Sequence, residues 1–297
     1  MLAGLALVVA CGCAAEPVAN GAATEPAPAA TEPAPEPAGP SKQSSKPPRD
    51  PGPTPEPTST EPRDTGSTRP AWLGSRVLPE RPDGLGEIRD TPPELADRRF
   101  PPPDADPVDD EFVASVEPVP ADVAERSTWR PDCPVDLDEL RYVTMSFWGF
   151  DDRTHRGEMI VNATVAAGVV TVFERLYDAR FPIEEMRVVA VDELDAPPTG
   201  DGNNTTAFVC RPTTLGDSWS EHAYGLAVDV NPFHNPYQRA DAVVPELASA
   251  YLDRDRDRAG MIQPGDVVTT AFADIGWGWG GDWRSLKDWM HFSQSGR

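Results

Sequence analysis

The 297-residue chain is poor in histidine and cysteine, with four of each, and it has no Lys/Arg-rich stripe. A formal net charge of −23, spread over both halves without a basic cluster, lacks the electrostatic footprint of a nucleic-acid binder, so no nucleic-acid partner is expected. Long hydrophobic runs are also missing: the apolar stretch from Leu2 to Ala10 is too short to cross a bilayer. Aromatic residues are scarce early on. Of eight tryptophans only Trp72 precedes Trp129, and all four histidines lie from His155 onward. Imidazole chemistry is therefore confined to the second half, where the apolar residues that can build a core are also concentrated.

Proline is abundant, at 35 residues, most of them before residue 135. From Ala14 to Pro79 the chain is dominated by Pro, Ala, Glu, Thr and Ser in phrases such as EPAPAATEPAPEPAGP. Such a composition buries too little apolar surface to offset chain entropy, and proline stiffens it. Glu80 to Thr128 stays polar, acidic and proline-rich (PPPDADPVDDE), so residues 14–128 are expected to form a disordered tether. Leu2 to Ala10 has the length of a signal-peptide hydrophobic region. Val8-Val9-Ala10-Cys11 resembles the lipobox of bacterial lipoproteins, although no Lys or Arg precedes the apolar run. Residues 1–13 are expected to be this leader, with Cys11 lipidated, the membrane reached through that anchor, and the protein lying outside the cytoplasm in the cell envelope.

Residues 129–297 are expected to fold as one domain. Leu140 to Phe150 is rich in β-branched and aromatic residues and reads as a strand, with a second from Glu158 to Val161 after the Asp151-Asp152 turn. Val165, Val169, Phe173 and Leu176 recur at helical spacing after Asn162, a plausible N-cap, and Pro182 closes that helix. Met186–Val191, Ala207–Arg211 and Leu226–Val230 read as further strands, and Pro245–Leu252 and Pro264–Ile275 as helices opened by proline. Strands and helices mix without regular alternation, which predicts an α+β fold with a mainly antiparallel sheet and flanking helices. Cys133 and Cys210, the only cysteines of this half, most simply form a disulfide in an exported domain.

Chemistry concentrates in Ser218–Asn231 (SWSEHAYGLAVDVN) and Asp282–Phe292 (DWRSLKDWMHF). Leu226, Val228 and Val230 alternate with Ala227 and Asp229, which puts the carboxylate on the face away from the core. His222, Asp229 and His291 would give two imidazoles and a carboxylate, three protein ligands that leave a fourth position open for water. The ordered phrase Ser-x-His-x-x-Gly-x-Ala-x-Asp, followed by Asp-x-x-His, resembles the VanY-type zinc D-alanyl-D-alanine carboxypeptidases and the related L-alanyl-D-glutamate endopeptidases of the Hedgehog/DD-peptidase fold. That resemblance spans roughly Leu140 to Ser293. It implies zinc held by His222, Asp229 and His291, with Asp288 as the catalytic acid/base and a peptidoglycan stem peptide as substrate. It also implies that Arg211 serves the oxyanion or a substrate carboxylate and that Ser220 hydrogen-bonds substrate. A salt bridge from Asp288 to Arg284 and a turn-stabilising role for Ser220 are the plainer readings of those two residues.

The phrase GWGWGGDW, Gly276 to Trp283, reads as core tryptophans with turn glycines in preference to indoles presented to a ligand. His155 and His234 lack a partner phrase and are expected at the surface or as supporting groups. DRDRDRAG hints at a calcium loop, but Arg258 and Pro264 stand where glycine and glutamate are required. The loop Asp195–Thr206 and the segment His234–Val244 are candidates to close one end of a cleft. A monomer is expected.

Overall fold

The computed structural model describes residues 67–103, 107–213 and 218–297. They all belong to the second of two compact units, Ser59–Arg297. Cys11, the rest of the expected leader and tether up to residue 66, and residues 104–106 lie outside the described residues.

The first sheet is an antiparallel meander. Strand β1 (Ala114–Pro118) is followed by a short helix, α1 (Ala121–Arg126), and then by β2 (Leu140–Trp148) and β3 (Thr154–Asn162), in the order β1-β2-β3. The β2–β3 register runs from Leu140 opposite Asn162 to Trp148 opposite Thr154. Strand alternation sends Val143, Met145, Phe147, Met159 and Val161 to one face, where they are buried. Helix α2 (Ala166–Asp178) lays Ala166, Val169, Val172, Phe173 and Leu176 on that face. It begins later than Asn162 because that residue is still paired in β3. The Asn162 side chain instead accepts from the backbone N–H and hydroxyl of Thr164 and shapes the turn ahead of the helix.

Strands β4 (Glu185–Met186) and β5 (Asn204–Thr205) form a short parallel pair. The strands expected at 186–191 and 207–211 are thereby reduced to this pair and to single bridges, Ser127 with Ala190 and Thr206 with Asp229. The remaining elements are β6 (Ala227–Asp229), β7 (Tyr237–Arg239), β8 (Ala242–Val244), α3 (Val267–Asp274), β9 (Gly278–Trp279), β10 (Lys287–Asp288) and β11 (His291–Ser293). They make two further antiparallel sheets, β6-β11-β9 and β10-β7-β8. The α+β class with mainly antiparallel pairing is as expected. Asp266 caps α3, its carboxylate accepting from the Thr269 N–H. The helix expected over 245–252 shrinks to a 3-10 turn, Ser249–Leu252. The carbonyls it would need are already taken: Glu246 O accepts from the Arg89 N–H, and Leu247 O from the Thr91 hydroxyl.

These last bonds come from the stretch assigned to the tether, and the tether boundary at residue 128 is corrected accordingly. Leu78, Leu95 and Phe100 are buried among Phe233, Leu247, Ala248, Tyr251 and Met261. Arg98 and Glu184, both almost fully buried, form a two-pronged ion pair at 2.7 and 2.8 Å. Strand β1 pairs along its whole length with β2. Three large apolar side chains spaced among prolines suffice here because the C-terminal half supplies the rest of the cluster. The Cys133–Cys210 disulfide is formed, with a Cα–Cα distance of 5.9 Å, beside a third cluster that includes Val123, Val135, Leu140, Ile160 and Phe208. Among the described residues no helix is long and apolar enough to cross a membrane.

Candidate metal centre and active-site cleft

Strand pairing sets two of the functional side chains. In the β6–β11 ladder His291 lies directly opposite Asp229, and Phe292 opposite Val228. Residues directly opposite in an antiparallel pair share a face, so the imidazole and carboxylate stand together on one side of the sheet. Phe292 and Val228 enter the main core on the other, where the Phe292 ring stacks on Phe272 with centroids 4.0 Å apart. A slip of one residue would bury the polar pair and expose the phenyl ring, so the core fixes the register of the site.

His222 arrives from a 3-10 turn, Glu221–Tyr224. Ser220 caps it, the hydroxyl accepting from the His222 N–H at 3.3 Å. Gly225 ends it with φ of +66°, and a Cβ there would meet the Asn162 nitrogen at 2.6 Å. That position combines a left-handed backbone with close approach to β3, which glycine alone meets without strain. The chain then turns directly into β6, bringing His222 back over Asp229.

The three side chains converge. His222 Nε2 lies 3.2 Å from His291 Nδ1 and 3.2 Å from Asp229 Oδ1, and His291 Nδ1 lies 3.1 Å from the same oxygen. The outer nitrogens are held elsewhere: His222 Nδ1–H donates to the Ala207 carbonyl at 2.5 Å, and His291 Nε2–H to the Arg297 carbonyl at 3.1 Å. Those bonds turn the inner nitrogens into lone-pair donors, as metal-binding imidazoles require. Two lone pairs and a carboxylate in a triangle of this size repel one another unless a cation sits among them. A tetrahedral zinc with ligand bonds of about 2.0 Å would set its ligands about 3.3 Å apart, so the triangle fits one face of such a site. These three residues make the one group of its kind among the described residues. Burial works against ionisation of Asp229; with no cation among the three groups, protonation of the two rings would turn their inner nitrogens into charged N–H donors, and these outweigh burial and hold the carboxyl well below the usual range.

Asp288 lies on the same cleft, in β10, which pairs with β7 so that Asp288 faces Tyr237. Its Oδ1 is buried and has no hydrogen-bond partner. Burial pushes its pKa up to about 7, with the Asp229 charge adding to the shift and His291 and Arg211 opposing it. No salt bridge to Arg284 forms among the described residues. Gly280 makes room for this segment: a Cβ there would meet the Asp288 carbonyl oxygen at 2.5 Å. The tryptophan-glycine phrase divides as its residues face. Trp277 and Trp279 are core, whereas Trp283 lines the cleft with its ring 5.4 Å from that of His291.

The cleft has a volume of about 510 Å³. One wall is built around the Pro212–Trp219 bridge, and it contributes Arg211, Thr213 and the half-exposed Trp219. Another is the β7–β8 hairpin, which contributes Tyr237, Arg239 and Val244. Of the two segments expected to close one end, the His234–Val244 stretch lines the cleft and Asp195–Thr206 does not. All the residues read from the sequence as a site, His222, Asp229, His291, Asp288, Arg211 and Ser220, thus face one cavity. Ser220 does what its plainer reading describes, capping the His222 turn. His155 and His234 are both buried, which excludes the surface and leaves the supporting role of the two readings. His155 Nε2 lies 3.0 Å from Asp151, and His234 fits between Asn203 and the Arg98 carbonyl. The sequence assigns Trp219, Tyr237 and Arg239 no individual role at the site, and its preferred reading of the tryptophan-glycine phrase puts Trp283 in the core instead of on the cleft. The alternation of Tyr237 and Arg239 about Gln238 was the available signal, but three residues are too few to read as a strand.

Residues 214–294 match a family model described as D-alanyl-D-alanine carboxypeptidase. No curated protein and no solved structure matches the chain. The matched segment holds His222, Asp229, Asp288 and His291 together, so over residues 214–294 this chain is similar to the D-alanyl-D-alanine carboxypeptidase family, in agreement with the resemblance its motifs carry.

Proposed function

We propose that this chain is a zinc-dependent peptidase that removes the terminal D-alanine from peptidoglycan stem peptides. The observation that carries the reading is the placement, in one cleft, of three converging donor atoms and a separate buried carboxylate oxygen without a partner. Three protein ligands with an open fourth position are the mark of catalytic zinc, and a carboxylate that is not a ligand is what a hydrolytic site adds to it. Zinc bound there would supply a water acidic enough to ionise near neutral pH and a Lewis acid for the scissile carbonyl.

The protein's own groups do the rest. His222 Nε2, Asp229 Oδ1 and His291 Nδ1 hold the ion, and the Ala207 and Arg297 carbonyls orient the two rings. Asp288 Oδ1 takes the proton of the attacking water and delivers it to the leaving amine. The raised pKa suits a group that must both accept and release a proton near neutrality. Arg211, on the cleft wall, stabilises negative charge developing on the substrate. We further propose that the protein works outside the cytoplasm, tethered by lipid on Cys11 through the proline-rich segment. The Cys133–Cys210 disulfide supports an oxidising compartment.

The test is incubation of zinc-loaded protein with a defined pentapeptide muropeptide, followed by mass analysis. Wild type is expected to release one alanine, and Asp288→Asn to lose at least about 100-fold in rate with its zinc content kept. A cut between L-Ala and D-Glu would make the chain an endopeptidase. Binding without cleavage, equal in both proteins, would make it a peptidoglycan-binding module.

A further inference from the structure

The cleft of this strongly acidic chain gathers three arginines, Arg211, Arg239 and Arg297. Their surroundings differ. Arg211 donates from Nη1 to the Pro212 carbonyl and sits within the electrostatic reach of Asp288. Arg297 offers its carbonyl to His291 Nε2 and the Ser293 hydroxyl; its guanidinium, like that of Arg239, has no partner among the described residues, but it lies beyond the last strand, where no register sets it against Asp288. The Arg239 guanidinium has no hydrogen-bond or ion-pair partner among the described residues. Its neighbour Asp241, the nearest carboxylate in sequence, is taken by Arg81 at 3.0 Å. An exposed guanidinium at a cavity lining, with its donors unspent, is a ready site for a carboxylate.

Strand geometry says where along the substrate that carboxylate must lie. Tyr237 and Arg239 share a face of β7 and both line the cleft, while Gln238 between them does not. Asp288 lies opposite Tyr237 in the β10–β7 ladder. Arg239 is therefore two residues, about 6.6 Å, along the strand from the position level with the proton carrier. The group that protonates the leaving amine must sit beside that amine. One amino acid extends about 3.6 Å from there, and a guanidinium reaching inward covers the remainder.

We infer that Arg239 is the specificity-determining residue of this cleft, holding the free C-terminal carboxylate one residue beyond the scissile bond. This rests on the peptidase reading above and names the group that would confine it to peptides ending in a free carboxylate. A bond inside a longer chain would set a neutral amide against Arg239 and forfeit the charge-assisted contact.

The test compares a stem pentapeptide ending in D-alanine with the same peptide as its C-terminal amide, in wild type, Arg239→Gln and Arg239→Lys. Two readouts are taken on zinc-loaded protein: kcat/KM, and equilibrium binding of D-alanyl-D-alanine and its amide to the Asp288→Asn form of each. Wild type is expected to favour the acid by roughly 10- to 100-fold in both readouts, the range of a hydrogen bond to a charged group. Arg239→Gln should bring the ratio close to one, and Arg239→Lys should restore part of it. Retention of the full ratio in Arg239→Gln, or no preference in wild type, would overturn the inference. The binding readout keeps the two claims apart, because an acid preference that depends on Arg239 without turnover would sink the peptidase reading alone.

Discussion

The segment around the candidate metal centre and the segment 67–103 are built by opposite rules. At the centre the information is local. Asp229 and His291 face each other because two three-residue strands pair, and a few residues on either side of each determine that pairing. In 67–103 the information is distributed. Leu78, Leu95 and Phe100 are separated by prolines and charges, and they are buried only because Phe233, Leu247, Tyr251 and Met261, far along the chain, receive them. The first arrangement writes a phrase that composition cannot hide, whereas the second leaves a sequence that composition alone describes as a tether.

The two regions are nevertheless joined. Arg98 reaches from the N-terminal segment to Glu184, which also accepts from the Asn203 side-chain amide. Asn203 in turn contacts His234 and accepts from the Phe233 N–H. The Glu184 N–H donates to the Asn231 side chain, two residues beyond Asp229. The turn that carries the chain from the candidate metal centre to the β7 wall thus rests on a group from the supposed tether.

Breaking that join should have the largest effect on stability. Arg98→Ala takes away the two-pronged partner of buried Glu184 and leaves it the partly exposed Arg69 at 3.1 Å and the Asn203 amide, so the loss is expected to approach, from below, the roughly 3–5 kcal/mol of a buried charge with no partner. Urea unfolding should show that loss in full-length protein. If the segment were a passive tether, the midpoint would be unchanged.

A smaller effect is expected from acid. Burial lowers the His234 pKa to about 4, with the charges of Arg98 and Arg254 adding and the Arg98 carbonyl and Glu184 opposing. Unfolded histidine titrates near 6.5. Above that pH neither state holds the proton and His234 contributes no pH dependence. As pH falls from about 6.5 to about 4, the unfolded chain takes a proton that the folded one refuses, so stability declines, by about 3 kcal/mol at the lower end. Comparing unfolding midpoints at pH 7 and pH 4.5 should give a smaller decline in His234→Gln than in wild type. Parallel declines would show that His234 does not set this dependence.

The sequence carried the site further than the fold. The alternation of Leu226, Val228 and Val230 placed Asp229 on the correct face, and the Asp-x-x-His spacing placed Asp288 in the same cleft as His291. The β2–β3 hairpin and α2 were also readable, because each is long enough to display its period. Three kinds of feature were not. Two-residue strands such as β4 and β5 carry no period at all. The segment 245–252 has helical composition, but its carbonyls are claimed by Arg89 and Thr91, partners about 150 residues earlier in the chain. Arg239 takes its meaning from a pairing with β10 that no local pattern announces.

The central claim is that His222, Asp229 and His291 form one metal site, and direct metal analysis tests it most sharply. Purified wild type and His222→Ala would each be loaded with zinc, desalted and measured for zinc per chain, with circular dichroism to confirm that both are folded. One zinc per chain in wild type, and its loss in the folded variant, is the predicted result. Equal stoichiometric zinc in both, or none in either after loading, would contradict the account.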